Sequence, residues 1–245
     1  NRNLAKRDGP IVPLIAETGG MSAMIVDSSA LLEQVVTDVI SSAFQSAGQR
    51  CSSLRFLFVQ SDIANDLLLM LGNAMKELEI SDPRNLNVDV GPVIDGAAKQ
   101  MLEDHVNYLT DLESKKLAKH LIRCVVPDVG DFFGPIVHVI RFEADALEEV
   151  FSNISATNYG LTLGLHSRLE STIAMAKRLA KVGNLYVNRN MIGAVVGVQP
   201  FGGEGLSGTG PKAGGPNYLR LFVHERSFAQ NLTACGGNAT LLNSI

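Results

Sequence analysis

Two spacings of apolar residues alternate along the chain. Leu32, Val35, Val36, Val39, Ile40, Ala43, Phe44 and Ala47 fall at i, i+3, i+4 and i+7, the stripe of a core-facing helix. Gly48 supplies its stop, because glycine takes the left-handed conformation that closes helices. Asp27, Ser28 and Ser29 ahead of it are capping residues by type. The terminal segment 1–9 reads as a helix end. Further helices are predicted over 63–75, 96–109 and 142–151, the last acidic on its outer side. Another opens at Ser167 and Glu170, which have capping-box spacing, and closes near Gly183. Short unbroken apolar runs lie between, at 10–16, 24–26, 54–59, 161–166 and 184–188. Bounded by turn residues, they read as buried strands. Residues 82–92 read as loop. Residues 193–215 hold too much Gly and Pro for regular structure, so a loop packed closely on something is predicted there. Strands alternating with helices predict an α/β fold with an open, mostly parallel, twisted sheet.

Composition narrows the functional classes. The 245 residues are 46% hydrophobic and 19% charged, which suits a chain with a real core. A formal net charge of −4 leaves no general basic footprint, so nucleic acid is not the expected partner of this segment. No apolar run is long enough for a membrane span, and no signal-peptide pattern opens the sequence. Three cysteines at irregular spacing do not make a disulfide framework, and a reduced, cytoplasmic setting is expected. The five His lie far apart and do not pair with Cys at ligand spacing, so no metal is expected. The abrupt start suggests a piece of a longer polypeptide.

Two side chains stand out for chemistry. Cys51 follows a helix end and Gly48, with Arg50 beside it. Such a thiol is a candidate nucleophile where its surroundings favour the thiolate. A lone cysteine is more often a small buried hydrophobe, and Cys124 and Cys235 are read that way. Glu17 follows an apolar run and precedes two glycines, which places it at a strand's C-terminal end, where α/β sheets hold functional groups. Taken singly, a turn-capping or ion-paired glutamate is the commoner case.

Together these segments carry more. Leu14-Ile-Ala-Glu17-Thr-Gly-Gly20 and Phe44-Gln-Ser-Ala-Gly48-Gln-Arg-Cys51 resemble, in order and spacing, two signature motifs of the aldehyde dehydrogenase superfamily. Phe132-Phe133-Gly134-Pro135 resembles its Phe-Gly-Pro motif. Pro200-Phe201-Gly202-Gly203 followed by Ser207-Gly-Thr-Gly210 resembles its glycine-rich signature. The stretch 199–216 is similar to the L-glutamate-γ-semialdehyde (pyrroline-5-carboxylate) dehydrogenase branch. The tail from Asn231 resembles the end of that module in bacterial proline utilisation A, which joins it to a proline dehydrogenase.

The resemblance implies an NAD(P)-dependent oxidation of L-glutamate γ-semialdehyde to L-glutamate. Cys51 would be the nucleophile, forming a thiohemiacetal and then a thioester, and Glu17 the general base. The backbone N–H of Cys51 would donate to the oxyanion. Ser52, Gly193, Ala194 and Phe201 match substrate-binding positions. Asp131, Phe133 and Gly19 match cofactor positions, with Asp131 standing where the family usually has Glu. NAD is the implied cofactor, while FAD would belong only to a separate proline dehydrogenase domain. A small aldehyde, the N-terminal half of the same polypeptide and further copies in a homo-oligomer are the implied partners.

Domain organisation follows the same comparison. Residues 1–20 match the end of a nucleotide-binding half with its linker strand, 21–223 the catalytic thiol domain, and 224–245 a tail. Three departures stand out. The nucleotide-binding half and its oxyanion-binding Asn are absent. The stretch 114–130 is short and lacks the family's Gly-x-Phe-x-x-Pro segment. Met21-Ser22 stands where relatives carry a more polar pair. These departures raise an alternative, a catalytically incomplete fragment or interaction piece. A thiol hydrolase would need a His partner for Cys51, and none stands in a recognisable motif.

Overall fold

A computed structural model describes residues 2–114, 121–122 and 134–231. After a short helix α1 (Arg2–Ala5) the chain runs β1 (Ala23–Val26), α2 (Leu32–Phe44), β2 (Phe56–Gln60), α3 (Ala64–Lys76) and α4 (Gly96–Ser114). It continues through β3 (Leu121–Ile122), β4 (His138–Phe142), α5 (Leu147–Ala156), β5 (Tyr159–Gly160), β6 (Thr162–His166), α6 (Glu170–Leu179), β7 (Asn184–Val187) and β8 (Glu204–Gly205). Six strands form one sheet in the order β3-β4-β2-β1-β6-β7, with β5 and β8 paired separately. Within the six, only the β3–β4 pairing is antiparallel. The predicted mostly parallel α/β sheet is therefore present.

Each face of the sheet is covered by its own helices. Alternate β1 residues Met24 and Val26 join Leu57 and Val59 against α2 and α3, where Val35, Val39, Phe44, Leu67 and Leu71 are buried. The other β1 residues, Ala23 and Ile25, pack with Leu163 and Leu165 against Val150, Phe151, Ile154 and Ala176 of α5 and α6. A central parallel strand buried on both faces must read as an unbroken apolar run, which is why β1 was legible without alternation. Burial of Phe44 removes nearly all of its side chain from water, a contribution of about 1.5–3 kcal/mol.

Several local expectations are corrected. The run 10–16 forms no strand: Ile11 is fully exposed, and the backbone pairing of this stretch is confined to Ala16, which meets Thr209 at its end. An apolar run becomes a strand only where a neighbour offers its hydrogen bonds. Neither predicted side-chain cap forms on its helix. Leu31 and Leu169 occupy the N-cap positions of α2 and α6 without side-chain hydrogen bonds, while Asp27 and Ser167 bond to each other. The helix predicted at 142–151 starts later, because 138–142 is a buried strand followed by a 3-10 turn at Ala144–Ala146. No helix among the described residues is long and apolar enough to cross a membrane.

Candidate active site

Because β1, β2, β4, β6 and β7 run parallel, their starts share one edge of the sheet. Glu17 precedes β1, Cys51 precedes β2, Gly134 precedes β4, and Gly160 and Gly183 precede β6 and β7. The described parts of the four sequence motifs therefore approach the N-terminal edge of the strands. Glu17 was expected at a strand's C-terminal end and lies instead in the loop that enters β1.

That loop is tied to the glycine-rich segment by backbone pairing. Glu17 bridges Gly208, the Thr18 N–H donates to the Ser207 carbonyl at 3.0 Å, and the Thr209 N–H donates to the Ala16 carbonyl at 3.1 Å. The Glu17 side chain lies against two glycines. A Cβ on Gly202 would stand 3.0 Å from its Oε1, and one on Gly208 would stand 3.4 Å from its Oε2. The rest of the segment presses on the strand entries: a Cβ on Gly183 would meet the Gly202 carbonyl oxygen at 1.7 Å. The loop does hug something, and what it hugs is Glu17 and the heads of β6 and β7. Partial desolvation raises the Glu17 pKa, which strengthens the carboxylate as a base while its outer side stays in solvent.

Cys51 is presented by an abrupt end to α2. A 3-10 turn at Gln45–Gly48 follows, with Ser46 at φ 59°, Ala47 at φ 53° and Gly48 at φ 65°. Left-handed backbone costs a non-glycine residue roughly 1–2 kcal/mol, so the turn is held by its surroundings. Gly48 has no alternative, since a Cβ there would lie 2.4 Å from the Gly134 carbonyl oxygen. The thiol is half-buried, and burial pushes its pKa up. Backbone N–H groups of Ser52 and Cys51 oppose the rise, the Glu17 charge adds to it, and the Arg50 charge opposes it. Cys51 and Glu17 are thus electrostatic neighbours. Gly20 completes the junction: its Cβ position faces Leu161, the Ser22 hydroxyl and, at 3.6 Å, the Cys51 carbonyl.

The other predicted positions divide. Ser52 is buried beside the thiol, its carbonyl receiving the Thr162 hydroxyl. Phe201 exchanges two backbone hydrogen bonds with Ala213, at 2.9 and 2.8 Å. Gly193, at φ 72°, and Ala194 follow the buried pair Met191 and Ile192, and Met191 is tied to the end of α2 through the Ser42 hydroxyl. Gly19, at φ 83°, has open space around its Cβ position. Asp131 and Phe133, with the short stretch that precedes them, lie outside the described residues.

Residues to which pattern reading gave no role hold the site together. The Ser22 carbonyl accepts from the N–H groups of Arg55 and Phe56, and its hydroxyl accepts from Thr162 at 2.8 Å, so the unusual Met21-Ser22 pair links the Glu17 loop to β2 and β6. The Asn184 side chain donates to the Pro200 carbonyl and accepts from the Gly202 N–H, fixing the glycine segment to β7. A cavity of about 420 Å³ lies behind the Glu17 loop, walled by Gly20, Met21, Arg55, Phe56, His105 and His138. His138 Nδ1 donates to the Arg55 carbonyl, leaving Nε2 to accept from His105 Nε2 at 2.9 Å. Burial and the neighbouring ring lower the His105 pKa to about 4, so both rings are neutral near pH 7. The Asn that opens an otherwise apolar strand, Asn184, and the unusual Met21-Ser22 pair are the signals that sequence offered here.

The aldehyde dehydrogenase family matches residues 2–120 and 130–228. The bifunctional protein PutA of Salmonella typhimurium is 50% identical over 258 residues, a match covering 95% of this chain and 20% of that protein. A crystal structure of bifunctional proline utilization A superposes with a TM-score of 0.87 at 51% identity, covering 96% of this chain and 25% of that one. A 1-pyrroline-5-carboxylate dehydrogenase from Thermus with bound NAD gives a TM-score of 0.71 at 33% identity, covering 85% of this chain and 43% of that one. The chain spans about a fifth of the length of the curated PutA relatives it matches. Matched along most of its length, with the described parts of its four motifs gathered at one edge of the sheet, the chain belongs to the aldehyde dehydrogenase family.

Proposed function

We propose that this chain is the thiol-bearing part of an NAD-dependent L-glutamate-γ-semialdehyde dehydrogenase, working within a longer bifunctional polypeptide that also oxidises proline. The observation that carries the reading is the convergence of Glu17, Cys51 and the glycine-rich segment, together with the similarity to PutA and 1-pyrroline-5-carboxylate dehydrogenases. Residues 21–223 form the catalytic domain in this reading, 1–20 the junction with a nucleotide-binding half, and 224–245 a tail.

The Cys51 sulfur adds to the aldehyde carbon as a thiolate, and the carbonyl oxygen becomes the oxyanion of a thiohemiacetal. The N–H groups that face the thiol from Cys51 and Ser52 stabilise negative charge there. Ser52, Gly193, Ala194 and Phe201 bind the amino-acid end of the substrate. NAD, when bound, would supply the hydride acceptor, and loss of hydride from the former aldehyde carbon would leave a thioester on Cys51. Glu17 then removes a proton from water, the water oxygen attacks the thioester carbon, and the carboxylic acid departs as the thiol is restored. The like charge of Glu17 disfavours the Cys51 thiolate, so Glu17 serves the hydrolytic half better than the acylating half.

The cofactor site is only partly built from the described residues. Gly19, with its open surroundings, suits the nicotinamide end, and Phe133 and Asp131 are assigned there by resemblance alone. The chain spans about a fifth of the length of its PutA relatives, and the pyrophosphate is assigned in this reading to the nucleotide-binding half of the longer polypeptide. That favours a second reading, in which this chain needs the rest of the enzyme to turn over. The test is NADH formation from L-glutamate γ-semialdehyde by this chain and by the full-length polypeptide. NADH formation by the polypeptide, lost in Cys51→Ala with NAD binding retained, is expected. Turnover that persists in Cys51→Ala would overturn the reading.

A further inference from the structure

We infer that Arg55 is the residue that positions the Cys51 loop, acting through main-chain carbonyls and without touching the thiol; the inference rests on Cys51 being the nucleophile. Arg55 is buried, 7% exposed, at the head of β2. Its Nη2 donates to the Gly48 carbonyl and its Nη1 to the Gly134 carbonyl, each at 2.7 Å. Its own N–H donates to the Ser22 carbonyl at 2.9 Å, and its carbonyl accepts from the His138 N–H at 2.8 Å. One residue therefore joins the loop that carries Glu17, the turn that delivers Cys51 and the Phe-Gly-Pro segment.

The need for a cation follows from the geometry. Gly48 and Gly134 approach so closely that a Cβ on the first would strike the carbonyl oxygen of the second. Their carbonyl oxygens leave water together, and buried carbonyls without donors are costly. The planar guanidinium fork serves both oxygens at once, which a lysine ammonium cannot do with the same geometry. Gly48 in turn sits at the end of a left-handed turn whose strain would relax if that clamp were released. Relaxation would change the local backbone and turn the thiol out of line with the Cys51 and Ser52 N–H groups that favour its thiolate.

The test compares the full chain with Arg55→Lys and Arg55→Gln, all carrying Cys124→Ser and Cys235→Ser. Iodoacetamide alkylation of Cys51 is followed against pH. With folded variants, confirmed by circular dichroism, the alkylation rate near neutral pH should fall about threefold or more and its midpoint should move to higher pH. A lower melting temperature with unchanged rate and midpoint would make Arg55 a purely structural anchor and overturn the inference. Where a variant fails to fold, the unsubstituted chain decides: the ¹⁵N-labelled Arg55 guanidinium should show slowly exchanging Nη protons whose shifts move when Cys51 is alkylated. Unmoved shifts would overturn it. A Cys51 thiol that cannot be acylated by an activated ester in the unsubstituted chain would instead refute the nucleophile reading.

Discussion

The two edges of the sheet carry similar residues and use them differently. At the C-terminal edge, Asp27 is buried, and its oxygens accept hydrogen bonds from the Ser29 N–H, the Ser29 hydroxyl and the Ser167 hydroxyl. Asn188 clasps the Ser167 backbone through both its N–H and its carbonyl. At the N-terminal edge, Glu17 lies against glycines and Cys51 follows a turn of left-handed residues, and desolvation raises the pKa of both. A polar group whose partners are all at hand is spent on stability. A polar group held by backbone, partly desolvated and short of partners, retains free energy that a substrate can use.

The largest separation between the edges should come from paired substitutions. Gly48→Ala places a methyl group against the Gly134 carbonyl in a left-handed conformation, which should cost about 2–4 kcal/mol in urea unfolding and also slow Cys51 alkylation. Asp27→Ala strands two hydroxyls and should cost a similar amount, about 2–4 kcal/mol, with alkylation unchanged. Altered thiol reactivity in Asp27→Ala would erase the distinction. A smaller effect is expected from Gly202→Ala, whose Cβ would crowd Glu17 Oε1 and Lys212 Cα. Thioester hydrolysis in that variant should slow about tenfold while acylation of Cys51 is preserved. Equal slowing of both steps would detach Glu17 from hydrolysis.

The pH response should be gentler. His105, His138 and His166 all have pKa values lowered by burial, His105 to about 4. The unfolded chain takes up these protons near the ordinary pKa of about 6.5, whereas the folded chain resists them. Stability is therefore fully present above about pH 6.5 and declines as pH falls toward about 4. His105→Gln should flatten the slope of unfolding free energy against pH in that window. An unchanged slope would show that the His105–His138 contact carries none of it.

Much of this was legible in the sequence, for reasons that differ by element. The α2 stripe and the runs of β1, β6 and β7 were readable because they face buried surfaces on a regular period or on both sides. His138-Val-Ile-Arg-Phe was passed over as a strand because a His and an Arg interrupt its apolar run, although its backbone is fully paired to β2. The run 10–16 misled because pairing is decided by a distant neighbour. Glu17 and Cys51 were found through motif spacing, but their edge of the sheet was not, since topology alone decides which strand ends meet. Arg55 was invisible because the partners described for its side chain are carbonyls, which every residue possesses.

The most direct test of Cys51 as nucleophile and Glu17 as hydrolytic base uses an activated ester, which needs no cofactor. The full chain with Cys124→Ser and Cys235→Ser is mixed with p-nitrophenyl acetate, and the protein is followed by mass spectrometry. Glu17→Gln should accumulate one acetyl group on Cys51 and release it slowly, while the chain with Glu17 intact should clear it quickly. An acetyl group that never forms on Cys51, or that leaves equally fast in both, would contradict the assignment.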